Sequence, residues 1–531
     1  MSLNRRTFLK ELGLGVAGLG FVSSFPGLVL AAPAGARKLP RSAPEAQGIS
    51  SGAILAFLEA VGQSRHEFHS FMLARHGQVV AEGWWSPYQA GLTHMLYSLS
   101  KSFTSTAVGF AVAEGKLKVE DRVMSFFPED LPGQVSENLA AVRVKDLLTM
   151  SVGHAQDSIG PLTGEDNWVK KFLSLPVKNP PGSAFLYNSG ATYMLSAIVQ
   201  KVTGQKIIDY LTPRLFEPLG IRGVTWETCP RGINTGGWGF NIQTEGLAKF
   251  GLLYLQRGLW QGRQLLPAAW IEEATTAKIM QPAASEADRA KSDWLQGYGY
   301  QFWRCRHGVF RGDGAFGQYT LVMPDQDAVI AITSETANMQ GELDLVWEHL
   351  LPAMKEQPLA ADKKQHGQLK EKLASLALLP PKGQAASPSM GRVSRKTYQM
   401  EANSLGAQNV SFDFQKKACR FILQDDQHAY PVTCGLEKWS HGLTDMPGEP
   451  PKLTSGGAVK NQAPYKVAAS GTWKDERTFE MTWRFYETPH HDTVTCQFEG
   501  DKVQVAFRSS LIALSPNRPD KRPILKGQMS G

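Results

Sequence analysis

Ser98 and Lys101 stand three residues apart, about one helical turn, so in a helix both side chains share a face. A lysine amine beside a serine hydroxyl can take the hydroxyl proton and leave a nucleophile, the chemistry of a Ser-x-x-Lys arrangement. After them Phe103, Ala107, Phe110 and Ala111 recur at helical spacing and Gly115 ends the run, which predicts a helix. Ser98 would then lie at its N-terminus, where free N–H groups and the dipole favour a developing oxyanion. A lysine buried in the same place carries charge at a cost, so its pKa should fall. The spacing alone is weak. At average serine and lysine frequencies it arises about twice by chance in a chain this long, and it equally describes a capping serine followed by a solvated lysine.

Two further stretches could join it. Phe185-Leu186-Tyr187-Asn188-Ser189-Gly190 follows Pro180-Pro181-Gly182 and leads into a helical pattern. A tyrosine at such a corner can point into a cleft, where a nearby ammonium would lower its pKa and make it a proton carrier. Packing in a core is the plainer alternative. In Arg311-Gly312-Asp313-Gly314-Ala315-Phe316-Gly317-Gln318-Tyr319, small residues entering a strand let backbone N–H groups approach a substrate closely, or simply form a bulge. Gly48-Ile49-Ser50-Ser51-Gly52 satisfies a nucleophile-elbow pattern. That elbow needs a preceding strand, whereas Pro40–Gln47 reads as a loop, so Ser50 or Ser51 is expected to cap a helix. His154 and Asp157 are expected to be structural.

The elements that must position these residues follow from periodicity. Residues 50–63 read as a helix, and Phe68–Trp85 as a hairpin turning at His76-Gly77-Gln78. A largely helical middle includes Val144–Met150, Ser189–Val202 closed by Gly204, and Glu245–Leu255 with Thr244 as the expected cap. Gly308–Thr333 returns to a β-pattern turning at Pro324–Asp327. Strands at both ends of a helical middle suggest one sheet built from the two ends, hence an α/β (α+β) fold. Residues 356–395 change to a charged helix-like piece and then a Pro/Gly/Ala/Ser stretch, expected as a linker. From 396 onward short apolar–polar alternations, with a hairpin turn at Glu499–Lys502, predict a smaller all-β domain, 396–531, without a catalytic constellation.

At 531 residues the chain is too long for one core. A hydrophobic content of 42 % and a charged content of 20 % describe a folding, globular chain. The net charge is +7, without basic runs interleaved with aromatics, so a nucleic-acid partner is not expected. Asn4-Arg5-Arg6-Thr7-Phe8-Leu9-Lys10, a mildly apolar stretch to about Leu30, and Ala32-Pro33-Ala34-Gly35-Ala36 read as a twin-arginine signal peptide over residues 1–36. Nothing later approaches a membrane span, so the mature chain is expected to be periplasmic. The five cysteines are scattered without metal-ligand spacing. A single bridge among Cys419, Cys434 and Cys496 is one option. His490-His491 has the residue types of a metal site, but paired loop histidines are expected to be exposed.

Taken together, Ser98-x-x-Lys101, then Tyr187-Asn188-Ser189 about ninety residues on, then a glycine-rich strand before Gln318-Tyr319, resembles the β-lactamase-related serine hydrolases. That family includes class C β-lactamases, D-alanyl-D-alanine carboxypeptidases, esterases and 6-aminohexanoate-dimer hydrolase. Leu147–Ser151, Leu215–Gly220, and Gly237-Trp238-Gly239 through Ala248–Gly251 add to the match. The resemblance implies a β-lactamase/transpeptidase-like antiparallel sheet flanked by helices, over residues 37–355. It implies Ser98 as acylated nucleophile, Lys101 as its base and Tyr187 as proton shuttle. The backbone N–H groups of Ser98 and Ala315 would form the oxyanion hole, with Ser189, Asp313 and Gly314 lining the substrate. The family more often has Tyr-x-Asn, where this chain has Ser189. It also has Lys-Thr-Gly or His-Thr-Gly where this chain has Gly312-Asp313-Gly314. The missing cation and the added carboxylate argue against anionic substrates unless Arg311 or His307 compensates. The expectation is an exported serine hydrolase acting on a small neutral ester or amide through an acyl-serine, without cofactor or metal. The rivals are a penicillin-binding carboxypeptidase, D-amino-peptidase or β-lactamase, and a non-catalytic binding protein of the same fold.

Overall fold

The computed structural model describes residues 38–446, 464–514 and 520–530. The signal-peptide reading of residues 1–36 lies outside them. The first sheet has six antiparallel strands. Two come from the N-terminal end, β1 (Glu67–Arg75) and β2 (Gln78–Trp84). Four come from the far end of the same domain: β3 (Trp303–Arg304), β4 (Phe310–Gly314), β5 (Gln318–Met323) and β6 (Ala328–Glu335). Their spatial order is β2-β1-β6-β5-β4-β3, the single sheet expected from both ends of the chain. His76 and Gly77 both take left-handed backbone (φ 49° and 72°), the paired geometry of a tight hairpin whose twist matches its strands.

The central strands are apolar on both faces because both faces are covered. Met72, Ala74, Val329 and Ala331 enter one core with the helical middle. Phe71, Leu73, Ile330 and Ile332 enter a second core with α1 (Ser51–Gln63). Ser50 caps α1, its side chain accepting from Ala53 N, which disposes of the elbow pattern. On the other face lie α2 (Ser100–Ala113), α3 (Ser189–Thr203) and α4 (Thr244–Leu255). Helix α2 is buried from Ser100 to Ala111, more completely than a one-sided pattern implies. It can be so because most of its hydroxyls find partners: Thr104 Oγ1 donates to Gly236 O at 2.8 Å, and Ser102 Oγ to Gln301 O at 2.9 Å. At α4 the cap expectation is corrected. Gln243 is the N-cap, and the Thr244 hydroxyl instead bonds Ser70 Oγ at 2.8 Å, tying the helix to β1.

Among the described residues the C-terminal domain is a ten-stranded antiparallel sheet, curled into a barrel by a parallel pairing of Gly435–Leu436 with Ser470–Gly471. Its interior holds Phe412, Phe421, Trp473, Phe479 and Trp483, alternating with outward polar residues as the sequence suggested. All five cysteines are buried free thiols. The segment expected as a linker is docked along much of its length. Asp362 caps α5 (Lys363–Ala374) by accepting from Gln365 N at 2.9 Å. Leu369 and Leu376 then bury in the second core, with α1. Farther on, Gln384 pairs with Trp473 of the barrel. The helix is charged on its exposed side, so its composition resembled linker while two leucines set its place.

Leu369→Ala is expected to lower stability by about 2–4 kcal/mol, the cost of a buried cavity, read from urea unfolding followed by tryptophan fluorescence. A change under about 0.5 kcal/mol, the range of surface substitutions, would mean that α5 merely rests on the surface.

Candidate active site

Ser98 sits in a single 3-10 turn, Tyr97–Leu99, that runs directly into α2. The turn is pinned at its start: Leu96 N donates to Phe240 O at 2.9 Å, and Phe240 N donates to Ser100 Oγ at 3.2 Å. One turn on, the Lys101 amine is buried, with Nζ 3.0 Å from Ser98 Oγ, 2.8 Å from Gly237 O and 3.3 Å from Ser189 Oγ. A neutral amine has two N–H groups and one lone pair. Gly237 O and Ser189 Oγ accept the two N–H groups, which leaves the lone pair for the Ser98 hydroxyl proton. Burial pushes the Lys101 pKa down to about 7, against the opposing pull of the Asp157 and Asp313 carboxylates. The substitution of serine for the more common amide at position 189 therefore keeps a contact with the lysine.

Tyr187 joins these two. Its hydroxyl faces Ser98 closely enough to feel it electrostatically, and its ring centroid lies 4.8 Å from Lys101 Nζ. The ring stacks on Trp303 at 5.6 Å and meets Tyr298 edge-on at 6.4 Å. The sequence reading had an ammonium lowering the Tyr187 pKa. The structure reverses that direction: burial raises it, and the Asp313 and Asp157 carboxylates add to the rise. Tyr187 is thus a phenol that can give a proton as it receives one, rather than a standing phenolate. Asn188 turns away. Its Oδ1 accepts from Gly190 N, Ala191 N and Ser158, capping α3, and its Nδ2 bonds His154 Nδ1 at 3.0 Å. Burial pushes His154 down to about 4, consistent with a neutral structural ring. Asp157 accepts from Ser189 N at 2.9 Å, so it braces the start of α3 and contributes its charge near Lys101.

The third stretch is β4 with the turn after it. Gly312 and Gly314 are needed there for space. A Cβ at Gly314 would fall 2.1 Å from Leu96 O, and one at Gly312 would fall 3.0 Å from both Leu99 Cγ and Ser102 Oγ. The strand therefore lies against the serine turn, with Ala315 just beyond. Gln318 Nε2 donates to Ala315 O at 3.1 Å, and Ser334 Oγ to Gly317 O at 2.8 Å, holding that turn from below. Arg311 and Asp313 project from the opposite face and pair with each other, Nε to Oδ2 at 2.8 Å. Arg311 also donates to Asp293 O at 2.7 Å and lies 4.3 Å over the Trp294 ring. The compensating cation is thus Arg311; His307 packs on Trp347 instead. Because Arg311 is wholly buried, it neutralises Asp313 without reaching a substrate.

Sequence reasoning missed the contribution of the barrel. Its segment Arg484–His491 abuts the serine turn: Met95 N donates to Glu487 O at 3.0 Å, and His490 bonds the Tyr97 hydroxyl. His490 is buried and His491 half-buried, against the expectation of an exposed pair. No local signal marks this, since the partners lie hundreds of residues away.

Comparison with known proteins agrees with this arrangement. The family model described as Beta-lactamase matches residues 59–355, more than half of the chain. The chain belongs to the β-lactamase family. Within this family it is similar to 6-aminohexanoate-dimer hydrolase of Paenarthrobacter ureafaciens, 25% identical over 286 residues, covering 49% of this chain and 71% of the relative. It is also similar to the esterase EstB of Burkholderia gladioli, 27% identical over 176 residues, covering 28% and 45%. A solved structure from Bacillus anthracis named for 6-aminohexanoate-dimer hydrolase superposes with a TM-score of 0.51 at 19% identity, covering 61% of this chain and 90% of that one. That likeness concerns the fold. These β-lactamase-family relatives are hydrolases.

An amine with the Lys101 pKa is deprotonated above about pH 7. Phosphonylation of Ser98 by a fluorophosphonate is therefore expected to speed up as pH rises through about 7 and then level off. Lys101→Arg, which stays charged, should slow it by about 10²–10⁴-fold. A pH-independent rate between 5 and 9 would contradict the assignment of Lys101 as the base.

Proposed function

We propose that this protein is an exported serine hydrolase that cleaves a small neutral ester or amide through an acyl-Ser98 intermediate. The observation that carries it is the buried Lys101 amine 3.0 Å from Ser98 Oγ, with both N–H groups engaged elsewhere. Ser98 Oγ attacks the carbonyl carbon as its proton passes to Lys101 Nζ. The carbonyl oxygen, now negative, is received by the backbone N–H groups of Ser98 and Ala315. As the tetrahedral intermediate collapses, Tyr187 gives its hydroxyl proton to the leaving oxygen or nitrogen and regains one from Lys101. Water then repeats the sequence, losing a proton to the same pair and releasing the acid and free Ser98.

The charge around the third stretch supports a neutral substrate. Gly312 offers no cation, and the Arg311 guanidinium is wholly buried beside Asp313, so a substrate carboxylate would lose its hydration without gaining a partner. Of the residues that the resemblance sets along the substrate, Ser189 contacts Lys101, whereas Asp313 is turned to Arg311. The aromatic group of Phe185, Tyr187, Tyr298 and Trp303 suits an apolar acyl or leaving group. Cofactor or metal chemistry forms no part of this reading.

Incubation with p-nitrophenyl butyrate and intact-mass analysis test it. Wild type should turn over the ester and take up one phosphonate at Ser98, while Ser98→Ala should do neither. Full esterase activity in Ser98→Ala would overturn the assignment. Stable acylation by a labelled penicillin, or nitrocefin turnover, would move the substrate class to a carboxypeptidase or β-lactamase. Export by the twin-arginine route to the periplasm rests on Arg5-Arg6 and the small residues to Ala36. Replacing both arginines by lysine is expected to leave the chain in the cytoplasm on fractionation; unchanged periplasmic recovery would refute that route.

A further inference from the structure

Tyr97 immediately precedes Ser98, and Phe316 immediately follows Ala315. The two residues therefore flank the two amides assigned to the oxyanion hole. Both have left-handed backbone, φ 48° and 68°, a conformation that bulky side chains keep only where the surroundings hold them. Their rings meet edge-to-face at 5.2 Å. A third ring completes the group. His490 of the barrel stands edge-on to Tyr97 at 5.7 Å and to Phe316 at 5.0 Å, and its Nε2 bonds the Tyr97 hydroxyl.

His490 is itself fixed. Its Nδ1 lies 2.6 Å from Glu335 Oε1, at the end of β6. Burial alone would raise the Glu335 pKa, but bonds from His490 and His491 hold it down at about 2, so the carboxylate is a standing anion. Ser510 Oγ also donates to it. The residues beside Glu335 grip the backbone of Phe316: Ser334 Oγ shares its one proton between Gly317 O and Phe316 O, at 2.8 and 2.9 Å, and Thr336 N donates to Phe316 O at 3.1 Å. One carboxylate thus anchors the histidine while its neighbours anchor the turn. Glu67, Glu335 and His491 also bring three possible ligand atoms within 4.8 Å of one another. That cluster already contains its cation, since Arg484 pairs with both oxygens of Glu67.

We propose that His490 is a positioning residue supplied by the C-terminal barrel, which sets the separation of the Ser98 and Ala315 amides by holding Tyr97 and Phe316 together. This rests on reading Ser98 as the nucleophile. The full chain is tested with p-nitrophenyl butyrate and with the rate of fluorophosphonate labelling. His490→Ala and Tyr97→Phe should each lower kcat by about 10- to 100-fold, with KM within about twofold. The double variant should be little worse than His490→Ala. His490→Gln, which can still accept from the Tyr97 hydroxyl, should recover part of the loss. Tyr88→Phe serves as the docking control, because it removes a different interdomain bond, Tyr88 hydroxyl to Thr488 O at 3.0 Å, and it should keep wild-type kcat. Wild-type kcat and labelling in His490→Ala and Tyr97→Phe, or an equal loss in Tyr88→Phe, would overturn the proposal while leaving Ser98 in place. Activity in Ser98→Ala would overturn the underlying reading instead. Should His490→Ala fail to fold, Tyr97→Phe, which loses one oxygen atom, decides the matter alone.

Discussion

A buried amine whose charged form is disfavoured is the constraint on which the rest of this structure depends. Holding Lys101 at a pKa of about 7 rather than 10.5 costs the fold on the order of 5 kcal/mol near neutral pH. The unfolded chain binds that proton up to its ordinary pKa, so the penalty shrinks as pH rises from 7 towards 10. Such a cost is a large part of a domain's net stability, and it is carried by packing around the site. Helix α2 is enclosed by two other helices and the sheet, so the amine is buried and its charged form is poorly solvated. The two acceptors, Gly237 O and Ser189 Oγ, do the second part by orienting the lone pair.

Close approach is the other half of the design. The serine turn and β4 come together only because Gly312 and Gly314 have no side chains on the shared face. Strand alternation then sends Arg311 and Asp313 the other way, where they neutralise each other. The same alternation that opens space for a substrate's carbonyl therefore removes a free charge from its neighbourhood. On the proposed function, one five-residue strand would set both reactivity and substrate charge preference.

What could be read from the sequence was local. Ser98, Lys101 and the α2 pattern lie within a few turns of helix, and the β1–β2 hairpin has its own turn signature, so local spacing marked them, although the serine and lysine needed the other two stretches to stand above chance. Tyr187 was found by its order relative to the other two stretches. The direction of its pKa was not, because that depends on how deeply Tyr298 and Trp303 bury it. Thr244 looked like a cap because residue type was visible while its partner, Ser70, 174 residues away, was not. The docked α5 had the composition of a linker because two leucines are enough to place a charged helix. His490 was the hardest case. Its meaning lies in Tyr97, 393 residues distant, and a histidine pair in a β-rich segment carries no pattern of its own.

The barrel and the hydrolase core share charges as well as surface. Glu67 and Glu335 end up buried or nearly so, and each finds its counter-charge or hydrogen-bond donors in the barrel: Arg484 for the first, His490, His491 and Ser510 for the second. A buried carboxylate stripped of such partners costs several kcal/mol. The domain that carries Ser98 and Lys101 is therefore electrostatically incomplete without the one that carries no nucleophile. Selection on the barrel would then act on two levels, on its own apolar interior and on the few polar residues at 484–491 that close the core. The second set sits directly behind the residue that precedes Ser98. In this protein the appended domain is better regarded as the back wall of the site than as a separate module.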